Sequence, residues 1–258
     1  MRRAGGIMAR IKAQLPEVAK AGVSFAQIDS WVRSEIEKEG AETNFDREKG
    51  YRHAICVNKN AGICHGIPHD YLKVEAGDLM KVDMGCGVDG WQVDSAMSWV
   101  VAGGDAGERQ EREVFLNRGR LALKKAIAAA QPEASIYDIS LAMEKALTKH
   151  GYSMVYQLCG HGIGRKLHEE PLIPCIADGR DKSKIIKAGD ALAIEVMYAA
   201  GNATLLVAED GWTYETKDGS LTGYFEETVI VGASPEVVTS FGGSCLRSSP
   251  KKIIRSRC

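Results

Sequence analysis

Long apolar runs are missing from this chain. No stretch reaches the roughly 18 consecutive residues that a membrane-spanning helix needs, so no membrane partner is expected. A secretory core is missing as well: Met1-Arg2-Arg3-Ala4-Gly5-Gly6-Ile7-Met8 has no apolar run, and Arg10 and Lys12 follow at once. Neither sign of charge is in excess, and a formal net charge of -1 gives no field to steer DNA. The close CxxC pairs of a zinc knuckle are absent. The seven cysteines, at 56, 64, 86, 159, 175, 245 and 258, are odd in number and are expected to be buried thiols in a reducing cytoplasm, with Cys258 an exposed exception. No Cys-His-Asn or Cys-His-Asp order stands out, which disfavours a nucleophilic Cys64 and leaves that thiol between core packing and the wall of a substrate pocket.

What is present suits one large core: 258 residues, 45% of them hydrophobic. Ser24 followed by Gln27 forms a capping box that predicts a helix to about Lys38, closed by Gly40. An earlier helix reaches about Lys20 and is kinked or interrupted at Pro16. Residues 41–52 are polar and read as a loop. Strands are expected at His53 to Val57, Leu79 to Gly85 and Trp91 to Val100, the last two joined by a tight turn at Asp89-Gly90. After Gly103-Gly104 a long helix over 107–129 offers Val114, Leu116, Leu121, Leu123 and Ile127 to a core. A second helix from Ile136 to about His150 has Ser135 and Asp138 for its capping box and Gly151 for its stop. Strands at about 190–198, 203–209 and 223–231 complete an α+β pattern in which helices followed by strands occur twice. The expectation is one domain over 1–240, with a single core between its two halves, and a basic, flexible tail over 241–258.

The chemistry is carried by charge in apolar places. Asp83 interrupts Lys81-Val82-Asp83-Met84-Gly85, and Asp94 interrupts the neighbouring strand at Val93-Asp94-Ser95-Ala96. Pairing across the Asp89-Gly90 turn brings both carboxylates to one point if they face the same side. Glu195 lies in Ala191-Leu192-Ala193-Ile194-Glu195-Val196-Met197, and Glu226 follows Phe225. Glu227 should point to the opposite strand face. His161 stands between glycines in Gly160-His161-Gly162-Ile163-Gly164, where little bulk hinders close approach of a ligand, and no Lys-Ser/Thr ending makes this a phosphate loop. Buried carboxylates need compensation, and four of them carry about four negative charges, which two divalent cations would neutralise.

With these residues in order, the chain resembles the type I methionine aminopeptidases of the pita-bread metallopeptidase superfamily, from Arg2 to about Gly232. The resemblance implies a pita-bread fold, with two pseudo-twofold halves, a central curved antiparallel sheet and outer helices. It implies Asp83, Asp94, His161, Glu195 and Glu226 as ligands of two divalent metal ions (Co, Mn, Fe or Zn), with Asp94 and Glu226 shared. Glu195 would also accept the proton of the attacking water. His65 in Cys-His-Gly-Ile-Pro and His168 in Leu-His-Glu-Glu-Pro match the substrate-contacting histidines, and Tyr51, Cys56, Met197 and Trp212 match pocket positions. The implied partners are N-termini of nascent polypeptides, with transient ribosome contact, for a monomer. This chain departs from the pattern at Glu48-Lys49, Ala61, Val196, Tyr224 and Glu227. These changes keep two alternatives open: an exopeptidase of the Xaa-Pro type, and a catalytically weakened protein-binding homologue.

Overall fold

The first half opens with helices α1 (Arg2–Val18) and α2 (Phe25–Lys38), in a computed structural model that describes residues 1–240. Strands β1 (Glu42–Thr43), β2 (Ile55–Lys59), β3 (Gly62–Cys64), β4 (Leu79–Val88) and β5 (Trp91–Val100) follow. The second half repeats the order with α3 (Ala106–Ala129), α4 (Ile136–Thr148), β6 (Ser153–Met154), β7 (Cys159–Gly162), β8 (Glu169–Pro174) and β9 (Ala191–Ala199). It ends in β10 (Leu205–Val207), β11 (Tyr214–Thr216), β12 (Thr222–Ile230) and β13 (Glu236–Val237). The expected basic tail, with Cys245 and Cys258, lies outside the described residues.

Local signals explain the repeat. Ser24 N–H donates to Gln27 Oε1 at 2.8 Å, and Ser135 N–H donates to Asp138 Oδ2 at 2.9 Å, so each second helix starts from a capped end. Each of these serines also bridges a later extended segment, Ser24 to Lys73 and Ser135 to Ile185, which fixes the helix against its own half. Asp89 and Gly90 both have positive φ, as a type I′ turn requires, and the β4–β5 hairpin closes there with Val88 opposite Trp91.

All strand pairs are antiparallel. In one sheet β4 has β5 on one side and β1 and β2 along the other; in the second the order is β13-β12-β9-β7-β8, with β6 on β9. A small third sheet joins β10, β11 and β3. Helices α1 and α2 cover the first sheet through Ile7, Leu15, Ile28 and Val32 against Met80, Val82 and Met84. Helices α3 and α4 cover the second through Phe115, Leu123, Ile139 and Met143 against Leu192, Ile194 and Val229. Because side chains alternate along a strand, Asp83 and Glu195 must project from the faces opposite these helix-packed neighbours.

The two sheets meet where β5 lies beside β12, and hydroxyls make the join. Ser98 Oγ donates to Tyr224 O at 2.6 Å, Ser95 Oγ donates to Glu226 O at 3.0 Å, and Thr228 Oγ1 donates to Asp94 O at 2.8 Å. Asp94 N–H in turn donates to Thr228 Oγ1 at 2.8 Å. These short side chains satisfy buried backbone groups across the seam and lock Asp94 beside Glu226.

Several expectations need correction. Helix α1 runs through Pro16 to Val18: the missing N–H falls in the last turn, where Ala19 N–H still reaches Leu15 O at 2.8 Å. Val114 and Leu121 do not enter the core, being 43% and 39% exposed; the buried face of α3 is Phe115, Leu116, Gly119, Ala122, Leu123, Ala126 and Ile127. The 3.6-residue period places 114 and 121 on the flank of that stripe. The strand expected at 53 starts at Ile55, since Ala54 N–H is taken by Asp29 Oδ1 of α2 at 2.8 Å. The strand expected over 203–209 shrinks to Leu205–Val207, and the expected loop over 41–52 contains β1 and a short 3-10 helix, Phe45–Arg47.

Candidate active site

Register brings the five candidate ligands together. On the β4–β5 hairpin, Asp83 is opposite Ala96 and Asp94 is opposite Gly85, so the two carboxylates are diagonal neighbours on one face. Glu195 and Glu226 are directly opposed between β9 and β12. His161 on β7 is opposite Ala193, one same-face step from Glu195. One ligand atom each of Asp94, His161 and Glu226 falls within 4.8 Å of the others, all three residues buried. Glu227 turns to the other face, where Lys12 Nζ donates to its Oε2 at 2.8 Å.

The glycines around His161 serve strand packing. A Cβ on Gly160 would stand 2.4 Å from Ala193 O, and one on Gly162 would stand 2.2 Å from Glu170 O. Both are closer than any side chain tolerates, so the small residues expected to let a ligand approach also let this strand press between β8 and β9. His161 Nδ1–H donates to Gly162 O at 2.9 Å, which leaves the Nε2 lone pair facing Asp94 Oδ2 at 3.9 Å. Burial lowers the His161 pKa to about 4, so the ring is neutral.

Two acceptors facing each other at that distance lack a donor. Among the described residues Asp83 Oδ1 and Glu226 Oε1 also have no hydrogen-bond partner, although both are buried. Burial, then repulsion from the other carboxylates, pushes Asp83, Asp94 and Glu226 well above the usual carboxylate range; burial raises Glu195 to about 7. Oxygen-rich, electron-pair-rich and undercompensated, this cluster fits hard or borderline divalent cations. Among the described residues Glu226 has one side-chain partner: Tyr224 Oη donates to its Oε2 at 2.9 Å.

Above the cluster lies a cavity of about 510 Å³ that Asp83, Asp94, His161 and Glu195 help to line. Tyr51, Cys56, Met197, Trp212, His65 and His168 line it too, so every expected substrate-contacting residue reaches the same space. Cys56 stands directly opposite Asp83. Tyr51 is fixed by donating to Ile55 O at 2.8 Å and meets Trp212 edge-on at 5.2 Å between centroids. His65 adopts φ 54°, and the following N–H, of Gly66, donates to Asn58 Oδ1 at 3.1 Å. Burial and the neighbouring His168 lower the His65 pKa, which favours a neutral ring. His168 stands edge-on to His161 at 4.5 Å, with Nδ1 3.9 Å from Glu48 Oε1.

Among the further lining residues, Phe45, Leu158, Leu167 and Tyr224 were not anticipated. Phe45 carried a readable signal as a lone aromatic in the polar 41–52 stretch, and Leu167 directly precedes His168. Cys64 lines the cavity, which resolves its two readings: it is both buried and in the wall.

Residues 1–233 match metallopeptidase family M24. The chain belongs to that family. The methionine aminopeptidase of Aquifex aeolicus is 34% identical over 245 residues, covering 92% of this chain and 93% of the relative. The crystal structure of the Thermotoga maritima methionine aminopeptidase superposes with a TM-score of 0.87 at 29% identity, over 93% of this chain and 95% of that one. The prolidase of Pyrococcus horikoshii shares the fold at a TM-score of 0.72 and 17% identity, and this chain spans 60% of its length. The M24 chain described here therefore has the pita-bread fold and is a metal-dependent peptidase, and the buried Asp94, His161 and Glu226 group is compatible with its metal site.

Proposed function

We propose that this chain removes the N-terminal methionine from polypeptides, using two divalent cations held by Asp83, Asp94, His161, Glu195 and Glu226. The observation that carries the reading is the register of β4, β5, β7, β9 and β12, which gathers these five residues under an apolar, thiol-containing cavity. When bound, the cations supply Lewis acidity and lower the pKa of a coordinated water. Asp94 and Glu226, adjacent across the hydroxyl-bridged seam, would hold the cations at the centre of this set. Glu195 takes up the proton released on attack and returns it to the departing amine. His168, exposed at the mouth, donates to the substrate carbonyl oxygen as negative charge develops, and His65 orients the scissile amide. Tyr51, Cys56 and Trp212 form soft, apolar walls suited to a thioether.

The natural substrates on this reading are nascent chains met by a cytoplasmic monomer. The relatives named methionine aminopeptidase support this reading over the Xaa-Pro alternative, and the intact ligand set supports an enzyme over a weakened scaffold. Metal-free protein reloaded separately with Mn2+, Co2+, Fe2+ or Zn2+ and offered Met-Ala-Ser, Leu-Ala-Ser and Ala-Pro-Ala tests it. Methionine release from the first peptide is expected. Cleavage of Ala-Pro-Ala alone, or of none, contradicts the proposal.

A further inference from the structure

We propose that the groove beside the active-site cavity binds the third to fifth residues of the substrate chain and selects apolar side chains there. The inference rests on the aminopeptidase reading: a substrate held by its first residue has a continuing chain on one side only, and that chain must leave the cavity.

A second space of about 820 Å³ adjoins the first. The two share Gln157, Leu158, Cys159 and Leu172, so the groove lies directly beside the cavity lined by Glu195 and His161. Its near end is apolar and displayed to solvent: Tyr156 is 63% exposed and Leu172 46%, unusual for large apolar side chains beside a catalytic cavity. Pro174 and Ile176 continue the wall, and Arg180 and Lys184 mark the far, charged end. Strand β8, which carries Leu172, is the last strand of its sheet among the described residues. The Leu172 N–H donates to the carboxylate of Glu170, two residues before it, at 3.3 Å, a weak contact that a substrate carbonyl can replace. Three extended residues span about 10 Å, enough to pass from the shared residues onto this edge.

The test compares kcat/KM of the metal-loaded protein on Met-Ala-Ser, Met-Ala-Leu-Val-Leu and Met-Ala-Ser-Glu-Ser, with Tyr156→Glu as the variant because its side chain is on the surface. The apolar pentapeptide should be turned over with a kcat/KM roughly tenfold above that of the acidic one, through KM. Tyr156→Glu should erase the preference and leave Met-Ala-Ser unchanged. Equal kcat/KM for the two pentapeptides in the unmodified protein, or an equal loss on all three peptides in the variant, overturns the groove while leaving methionine removal in place. Release of methionine from none of the three overturns the proposed function, and the groove with it.

Discussion

Replacing Tyr224 by Phe removes one hydroxyl and keeps the ring, so it opens no cavity beneath the site. That hydroxyl is the donor to Glu226 Oε2 at 2.9 Å, while Oε1 of the same buried carboxylate has no partner among the described residues. A hydrogen bond to a buried ionised group contributes about 1.5–3 kcal/mol. At about 1.4 kcal/mol per tenfold change, its loss corresponds to a cation affinity roughly 10- to 100-fold weaker, the range that loss of a ligand's supporting partner usually brings. The direction has a second cause: the Tyr224 hydroxyl holds the Glu226 pKa down against burial and neighbouring carboxylates, so without it protons compete harder for the ligand. Titration of metal-free Tyr224→Phe with Mn2+ by calorimetry near neutral pH measures the affinity, and kcat on Met-Ala-Ser at saturating Mn2+ separates occupancy from chemistry. An affinity, stoichiometry and kcat equal to those of the unmodified protein would refute the role given to this bond.

The other predictions concern separate parts of the account. His168→Ala should lower kcat on Met-Ala-Ser by at least about tenfold and leave two cations bound, whereas Asp94→Ala should lose both cations; normal turnover in the first variant, or two tightly held cations in an active second, contradicts the assigned roles. Metal-free protein should melt at progressively lower temperature as pH rises from about 4.5 through the Glu195 value of about 7. The sign follows because a carboxyl whose folded pKa is raised holds its proton more strongly when folded, so stability falls as the unfolded chain ionises first. A thermal scan across that window that is flat, or that rises with pH, removes this electrostatic reading, and added Mn2+ should restore stability most at its upper end. Gly160→Ala should destabilise the fold by at least about 1–3 kcal/mol, since the new methyl would sit 2.4 Å from Ala193 O; an unchanged urea midpoint contradicts the close packing of β7.

Much of the candidate site was legible because carboxylates in apolar strands are costly, and four of the five candidate ligands broke an apolar pattern. The β4–β5 hairpin could be paired from Asp89-Gly90 and two flanking strands, and that register alone predicts Asp83 near Asp94. His161 could be singled out from its Gly-His-Gly setting, but the packing role of the glycines could not: they are the condition for three strands to approach, a long-range fact with no local signal. Strand β8 was hidden for a related reason, since Glu169-Glu170-Pro171 is polar and the strand sits at a sheet edge, where alternation and propensity are weakly constrained. Val114 and Leu121 illustrate the reverse error, apolar residues at helical spacing that tertiary packing left outside. Tyr224 was noticed only as a departure from the family pattern; its donation to Glu226 depends on β12 register and on rotamer, which composition does not encode.

The central claim is that five residues from five strands hold two cations in one buried site. Crystals of the protein soaked with Mn2+ and measured at the manganese absorption edge test it directly. The account predicts two anomalous peaks, both in contact with Asp94 and Glu226, one also with Asp83 and the other with His161 and Glu195. Peaks confined to surface carboxylates, or an active protein whose peaks lie away from Asp94 and Glu226, would contradict it.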